Sequence, residues 1–556
     1  MGTSDPEDDG LEEAVEQLGQ SRSWLWMVVL LASTPSMVNT FHLTVYVFWG
    51  QSLEHWCDVP ALQYTNWTAD QIRNVSNPGG VSRESCELYN WNYSQLAEMS
   101  YPEAVLFTGS QHKPSTTECQ HWNYVGNGIV SEWDLVCSRK ALKSTAQMAI
   151  SLGKFLGALI SGLVADRYGR KKVFATACMI YIIAGPVVAL APYYTLFILA
   201  RIALGIAGSG THNCGFTLLA ESCTTKRRTV LAVLYYMPTP IGMMLLPLIA
   251  YHIDDWRTLQ FVISAPAVFF VIHIWFLPES PRWLLSQGRR EEAWRIVNAF
   301  QSEKQTKQFI TVPLTSKTED VMEPTESNPP TTQHWYQHVL PFIYKLSSLF
   351  SHTELRRRLL ICYYATCVSS MSYYVLNLNA DNFTADRYIY VATAGAVEVL
   401  SYIMPLPLLR WTGRRQTLGL LYFLSSATLL SILMVPEGRT TTVWIVAMLG
   451  RLCVGAVYSL IVIQTSELFP TTNRNTAVST SSTLAHVGSL SAPFIVDLLG
   501  AEAWYIPSTI CGCSVLVAGF LVLLLPETKN SELCNTVEEI LQTDRVSFRN
   551  CCSCSS

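Results

Sequence analysis

The stretch KFLGALISGLVADRYGRKK, residues 154–172, runs from a lysine inside an apolar segment to a cluster of basic residues. A second stretch, EVLSYIMPLPLLRWTGRR, residues 398–415, repeats this arrangement with a glutamate at its start. In both stretches, about 18 Å of helix separates the charged residue from the basic loop. This distance places the charge near the middle of a hydrocarbon layer about 30 Å thick. A charge at that depth costs at least about 2.5 kcal/mol unless it is paired or lines a wet cavity. Lys154 and Glu398 therefore predict a polar path through a membrane.

The composition agrees with a membrane protein. Hydrophobic residues make up 49% of the 556 residues and charged residues only 14%, whereas a soluble chain carries about a quarter. The net charge of −4 is small and says nothing about nucleic acid, but the lack of a basic patch interleaved with aromatics argues against nucleic acid as a partner. No metal-ligand or nucleophile motif is present, so we expect no enzyme, cofactor or metal. Twelve apolar runs are long enough to span a bilayer, at residues 24–48, 144–165, 173–191, 195–216, 230–251, 257–277, 359–379, 388–409, 417–435, 442–465, 475–497 and 503–525.

The distribution of charge predicts the orientation. The basic clusters and both termini fall on one side of the twelve runs, which should be the cytosol of a plasma-membrane protein. The acidic opening residues do not resemble a signal peptide, so we expect the first run to be retained. The long segment 51–142 should lie outside. Glycosylation sequons occur on that side alone, at Asn66, Asn74, Asn92 and Asn382.

Cysteines follow the same division. Four of them lie in the outside segment, where oxidation is permitted, so two disulfides are expected and three connectivities are open. Four free thiols are the alternative. The cysteines are Cys57, Cys86, Cys119 and Cys137.

The chain repeats itself. Leu-Pro-Glu-Ser at 277–280 returns as Leu-Pro-Glu-Thr at 525–528, and Arg201 returns as Arg451. The near-constant offset predicts two six-span halves related by a parallel repeat. The expected domains are a tail (1–23), an N-terminal half (24–277), a linker (278–357), a C-terminal half (358–525) and a second tail (526–556).

Several motifs together resemble one family. They are GLVADRYGRKK (162–172), LPESPRWLLSQGR (277–289), CQHWNYVGNGIVSEWDLVC (119–137) and ELFPTTNRN (467–475). The chain resembles the organic cation, organic anion and carnitine transporters of the major facilitator superfamily over nearly its whole length. The resemblance implies an all-α fold of twelve transmembrane helices in two halves. It also implies a small organic ion as substrate, with sodium or a proton as a candidate co-transported partner.

The resemblance further implies gating ion pairs on the cytosolic side. Asp166 and Arg170 would act with two pairs that close inter-span connections, Glu221 with Arg228 and Glu467 with Arg474. Simple topological anchoring is the alternative role. Arg410 replaces the acid that the family carries in the second loop.

Polar residues inside the spans are the candidates for substrate binding. Histidine can hold a polar ligand or titrate near neutral pH, and paired aromatics beside a carboxylate suit an ammonium group. His486 stands where the family's cation carriers have Asp and its anion and carnitine carriers have Arg. The candidates are Asn39, His42, Lys154, His212, Tyr235, Tyr236, Tyr373, Tyr374, Glu398 and His486.

Three roles are open for Lys154 and Glu398. The two can pair with each other, pair elsewhere, or bind the carboxylate and the amine of a zwitterion. The sequence therefore predicts a transporter of small organic cations or zwitterions, carnitine-like or amino-acid-like. The alternatives are an organic anion transporter and a glycosylated receptor that does not transport.

Overall fold

The structure is a computed structural model, and it describes residues 6–78, 85–300, 344, 346–383, 386–436 and 438–529. Within these residues twelve helical segments are long and apolar enough to cross a membrane, which confirms the predicted all-α class. They are spans 1 to 12 below: Arg22–Trp49, Cys137–Tyr168, Arg170–Leu190, Tyr194–Ser222, Val230–Tyr251, Trp256–Phe276, Thr353–Leu378, Arg387–Leu409, Arg414–Met434, Thr440–Leu468, Asn473–Glu502 and Ile506–Leu523.

Prolines divide several spans, because proline lacks an N–H and clashes with the preceding turn. The divided spans are span 1 (Arg22–Ser33, Pro35–Thr44, Tyr46–Trp49), span 5 (Thr225–Tyr236, Pro238–Tyr251), span 6 (Trp256–Ser264, Ala265–Phe269, Phe270–Phe276) and span 8 (Arg387–Ile403, Pro405–Trp411). Span 11 contains Thr471–Phe494, a π-helical turn at Ile495–Leu499 and Gly500–Glu502.

The other spans are more regular. They consist of Cys137–Arg139 with Lys140–Tyr168, then Arg170–Leu190, Tyr194–Ser222, Thr353–Leu378, Arg414–Ser431 with Ile432–Met434, Thr440–Leu468 and Ile506–Leu523.

Small residues let neighbouring spans approach closely. A Cβ on Gly205 of span 4 would lie 2.8 Å from the Cα of Gly153 in span 2. A Cβ on Gly488 of span 11 would contact the carbonyl oxygen of Cys367 in span 7. Lipid supplies no hydrophobic driving force between helices, so close packing must hold the helices together. Glycine has no side chain and therefore permits this close approach. These contacts fix where the polar residues one turn away point.

Residues between spans 1 and 2 form a small folded region, and the membrane face that carries it is called the loop face. Its strands pair as two antiparallel ribbons, β1 (His55–Cys57) with β4 (Trp122–Tyr124) and β2 (Glu87–Tyr89) with β3 (Thr116–Glu118). Its helices are Pro60–Gln63, Ala69–Ser76, Tyr93–Ala97, Tyr101–Ser110 and Ile129–Glu132. Of the three open disulfide connectivities, the structure contains Cys57–Cys119 and Cys86–Cys137.

This region is anchored to the N-terminal half. Arg257 of span 6 forms an ion pair of 2.8 Å with Glu132, and the ring of Trp133 lies 5.6 Å from that of Trp256. Asn127 donates to Asp255, which caps the start of span 6. A hydrogen bond from the Thr258 hydroxyl holds the pKa of the Asp255 carboxyl below its usual value. The region should therefore move together with the N-terminal half.

The sequons differ in accessibility. Asn66, Asn74 and Asn92 are exposed. Asn382 is half-buried, and its Nδ2 atom, to which a glycan would attach, lies 2.5 Å from Asn379 Oδ1. Asn382 is therefore less accessible to glycosylation in this conformation than the three exposed sequons.

Three shorter helices lie at the opposite membrane face, here called the tail face. They are Pro6–Leu18, Pro281–Ser286 and Arg290–Phe300. The ring of Trp24 in span 1 meets that of Phe300 at 5.0 Å, so these helices join the N-terminal half. Residues 301–343 of the linker and 530–556 of the second tail lie outside the described residues, and the domain boundaries stay predictions.

Candidate functional site

A glutamate caps the basic loop of each half at the tail face. Glu279 accepts hydrogen bonds from the backbone N–H groups of Arg170 (3.0 Å) and Lys171 (3.1 Å) at the start of span 3. Carboxylates are favourable at helix N-termini, where N–H groups are unsatisfied. Gly169 precedes them with φ of +104°, and a Cβ there would contact the Glu279 carboxylate. Glycine is therefore required at this position.

The second half repeats this arrangement. Glu527 accepts from the backbone N–H groups of Arg414 (2.9 Å) and Arg415 (3.2 Å), and Gly413 has φ of +108°. Sequence reasoning used the two Leu-Pro-Glu motifs only as marks of the repeat and missed this role. The two motifs are separated along the chain by the same number of residues, to within a few, as the two loops that they cap. This shared spacing was the sequence signal that could have revealed the role.

The ion pairs at the tail face differ from those expected. Arg170 pairs with Asp166 at 3.0 Å and with Glu221 at 3.2 Å. Glu467 pairs with Arg414 at 3.2 Å.

The expected Glu467–Arg474 pair is not formed in this conformation. The Nε and Nη2 atoms of Arg474 are buried without a hydrogen-bond partner among the described residues. The side chains of Arg228 and Arg410 lie outside the described residues. The pairs formed by Arg170 and Arg414 each join elements of one half, so they do not tie the halves together here.

A buried arginine lies at the centre of the N-terminal half. Arg201 donates to the carbonyl oxygens of Ala146 (3.1 Å) and His42 (3.0 Å) and to Gln147 Oε1 (2.7 Å). Its guanidinium lies 4.9 Å from the ring centre of Trp49. All of these partners are neutral.

Arg451 occupies the equivalent position in the C-terminal half. It donates to the carbonyl oxygen of Ala394 (3.4 Å) and to Asn377 Oδ1 (3.3 Å), and it lies 4.9 Å from the ring centre of Tyr373. Its third partner is charged, because Nη2 pairs with Glu398 Oε2 at 3.0 Å.

Glu398 is therefore bound to an arginine that sequence reasoning did not assign to it. Its other oxygen accepts from the Tyr402 hydroxyl at 3.1 Å, and Tyr373 also hydrogen-bonds to it. The carboxylate is 4% exposed. A bridge between Lys154 and Glu398 is not formed, and both oxygens of Glu398 already accept from partners in the C-terminal half.

Lys154 differs from Glu398 in having no bonded partner. Its side chain is half-buried, and among the described residues it forms no ion pair. Its charge acts on His212 of the same half and on His486 of the other half. The ammonium group therefore lies near one imidazole of each half.

Aromatic rings connect the two halves beside these charges. The ring centre of Tyr236 lies 5.6 Å from that of His212 and 6.2 Å from that of Tyr402 in the other half. Tyr373 contacts Tyr374 (5.4 Å) and Tyr458 (6.0 Å). These rings form a tyrosine group between the halves.

Three predicted site residues are bonded within the N-terminal half. His42 is fully buried, and its Nδ1 lies 3.2 Å from Gln260 Nε2. Asn39 accepts a hydrogen bond from Tyr181 at 3.1 Å. Tyr235 is fully buried and donates to the carbonyl oxygen of His212 at 2.8 Å, and its ring centre lies 5.7 Å from that of His212. We therefore assign His42 and Asn39 to packing of the N-terminal half and Tyr235 to support of His212.

Comparison with known proteins agrees with this architecture. Residues 87–539 match the family described as "Sugar (and other) transporter". The chain is 31% identical to the "Organic cation transporter protein" of Drosophila melanogaster over 95% of this chain and 94% of that protein. It is 30% identical to "Solute carrier family 22 member 1" of Oryctolagus cuniculus over 95% of each. The chain belongs to the organic cation, organic anion and carnitine transporter family of the major facilitator superfamily.

The fold of this transporter also matches a bacterial structure. The partially occluded, inward-open conformation of the xylose transporter XylE from E. coli aligns with a TM-score of 0.58 and 16% sequence identity. The alignment covers 92% of this chain and 100% of that chain. At this identity the likeness supports the major facilitator fold alone. The transporter is not an enzyme, since its relatives are carriers.

Sequence reasoning missed three residues at the centre of this transporter. Tyr402 lies four residues after Glu398, on the same helix face, which was a usable signal. Arg451 was recognised only as a repeat of Arg201. Tyr458 carried no signal, because its place beside Tyr373 depends on how spans 7 and 10 pack.

Proposed function

We propose that this transporter carries small organic zwitterions with a carboxylate group across the plasma membrane by alternating access. The carboxylate binds Lys154, and the ammonium end lies among the tyrosines of the tyrosine group. The observation that carries the proposal is that Lys154 forms no ion pair among the described residues, while Glu398 of the other half is already neutralised by Arg451.

The aromatic rings account for the positive end. Tyrosine faces attract ammonium groups within about 6 Å by about 0.5–2 kcal/mol. Tyr374 and Tyr458 lie near Glu398, and their ring faces supply the attraction for the ammonium end. A zwitterion would then lie with its two ends toward opposite halves, which suits a site that both halves must close around.

A simple organic cation fits less well. It would meet the Lys154 charge without a free carboxylate to bind, and like charges repel at this range. An organic anion is the second candidate, because an unpaired lysine together with a neutralised glutamate leaves a net positive centre.

Uptake in cells that express the transporter tests these assignments. The probes are a labelled betaine-type zwitterion, a quaternary ammonium cation lacking the carboxylate, and a dicarboxylate, each measured with and without sodium and at several pH values. We expect uptake of the zwitterion, little uptake of the cation, and competition of the zwitterion by the unlabelled dicarboxylate. Preference for the cation would refute the role of Lys154. Binding of all three without uptake would favour a receptor.

Orientation belongs to the proposal as well. We infer that the loop face is extracellular and that both termini are cytosolic, since the exposed sequons and both disulfides lie on the loop face.

A further inference from the structure

One ion pair crosses between the halves at the loop face. Lys143 Nζ of span 2 lies 3.1 Å from Asp497 Oδ1 of span 11. The two side chains are 6% and 7% exposed. Among the described residues this is the only ion pair that joins the two halves.

The remaining partners of Asp497 also come from the N-terminal half. Its Oδ2 accepts hydrogen bonds from the Tyr46 hydroxyl of span 1 and from Ser144 Oγ of span 2, the latter at 3.1 Å. Lys143 donates in addition to Ser52 Oγ at 3.1 Å. A carboxylate of the C-terminal half is thus held by side chains of the opposite half.

The backbone around Asp497 is unusual in a way that fits this contact. Residues Ile495–Leu499 form a π-helical turn directly after the helix that contains Pro493. Single π-helical turns are rare and are frequent at functional positions. The wider turn changes the direction of side chains at the end of span 11, and the Asp497 carboxylate points to spans 1 and 2.

A small cavity adjoins the pair. It has a volume of about 60 Å³ and is lined by Lys143 and Asp497 together with Tyr46, Ser52 and Asp381. This space is sufficient for water, which would hydrate the two charges as they separate.

Other charges near the pair do not replace it. Asp381 lies close enough to feel the charges of Lys143 and Arg387, and it accepts a hydrogen bond from the backbone N–H of Ser52. Arg387 donates to the neutral side chain of Gln51. Among the described residues none of these contacts is an ion pair between the halves. Asp381 and Arg387 belong to the same half, so their interaction survives when the halves separate.

We propose that Lys143 and Asp497 form a lock that holds the loop face closed and sets the fraction of time for which it is open. Opening the loop face separates spans 1 and 2 from span 11, so the pair must break in every transport cycle. Removing Asp497 takes away the ion-pair partner of the buried Lys143 in the closed state and leaves only the more weakly interacting Asp381 as a nearby opposite charge. The open state, in which both groups are hydrated, is destabilised less by the substitution. Neutralising Asp497 alone therefore shifts the equilibrium toward the open loop face.

The proposal rests on alternating access but not on the identity of the substrate. Its test is the reaction of a cysteine at position 47 with a membrane-impermeant thiol reagent applied to intact cells. Val47 is 4% exposed and lines the cavity beside the pair, so its reaction reports opening of the loop face. Reaction rates are divided by the amount of surface protein.

We expect D497N in the Val47→Cys background to react about tenfold faster than the background alone. E502Q is the matched control, because Glu502 is exposed near the end of the same span, and its rate should be unchanged. Equal rates for D497N and E502Q overturn the proposal.

A variant in which the two charges are exchanged keeps the test usable if D497N misfolds. If D497N does not reach the surface, the double variant K143D/D497K replaces it. A slow rate, near that of the background, supports the lock, and a rate raised about tenfold overturns it. A raised rate in D497N together with no uptake of any probe by the unmodified protein would refute the proposed substrate and leave the lock standing.

Discussion

At the scale of single residues, the bonded partner of a charged side chain distinguishes a structural charge from a functional one. Glu398 and Lys154 occupy equivalent positions in the repeated sequence pattern. Both oxygens of Glu398 are bonded, whereas Lys154 has no bonded partner among the described residues. A buried pair that is broken leaves an uncompensated charge, whereas an unpaired group can be removed at little cost to folding. The two residues should therefore respond differently to substitution.

Lys154→Ala should preserve surface expression and lower zwitterion uptake by about 10-fold to 100-fold. The reason is that one charge-assisted hydrogen bond to the substrate is lost, worth about 1.5–3 kcal/mol. Glu398→Ala should instead lower surface expression, since it leaves the fully buried Arg451 unpaired at a cost of about 3–5 kcal/mol. Uptake and surface biotinylation are measured together.

The exchange Lys154→Glu with Glu398→Lys tests the same assignment. It should not restore activity, because a lysine at 398 would face Arg451. Recovery of transport in this double variant, or full activity of both alanine variants, would contradict the assignment.

At the scale of elements, each half is stabilised by a glutamate that caps its basic loop. Glu279 and Glu527 bond to the start of spans 3 and 9 with nearly equal geometry. Helix ends placed in this way keep spans 2 and 3, and spans 8 and 9, at fixed angles while the halves move.

Glu279→Gln and Glu527→Gln should each reduce the free energy of unfolding by about 1–2 kcal/mol, because the amide keeps the shape but loses the charge that favours a helix N-terminus. Thermal unfolding of the purified protein in detergent measures the change. Glu13→Gln, at an exposed position of the helix Pro6–Leu18, is the control and should have no effect. A drop in the control as large as in the two variants would remove the capping role.

The loop-face region is an element whose fold depends on its disulfides. Cys57 joins β1 to a cysteine 62 residues later, and a disulfide that closes a loop of this length contributes about 2–5 kcal/mol. Cys57→Ser should therefore lower surface delivery strongly. Cys362→Ser, within span 7, should have little effect. Similar surface levels for the two variants, measured by cell-surface labelling, would count against the disulfide framework.

At the scale of the whole molecule, one ion pair among the described residues joins the two halves, at the loop face. Three exposed sequons lie on that face, while Asn382 is half-buried between spans 7 and 8. Glycans should consequently report both orientation and local packing.

Replacing Asn66, Asn74 and Asn92 together by Gln should abolish the mass shift that enzymatic deglycosylation produces. Asn382→Gln should not change it. Tags on both termini should be accessible to antibody only after permeabilisation. Staining of an N-terminal tag on intact cells would contradict the orientation, and a mass shift in the triple variant would show that Asn382 is modified.

The sequence by itself determined the number of spans, the two halves, the place of the loop-face region and the family. These properties depend on the length of the apolar runs, on the spacing between repeated motifs and on local motifs. All of these can be read along the chain without knowledge of its packing. Only the tertiary structure decided which charges meet. Glu398 bonds Arg451 across 53 residues, Lys143 bonds Asp497 across the two halves, and the cysteines choose one connectivity of three. The two ion pairs depend on how the spans rotate about their axes and how closely they pack. The disulfide connectivity depends on the pairing of β1 with β4 and of β2 with β3. A repeat in the sequence specifies none of these contacts.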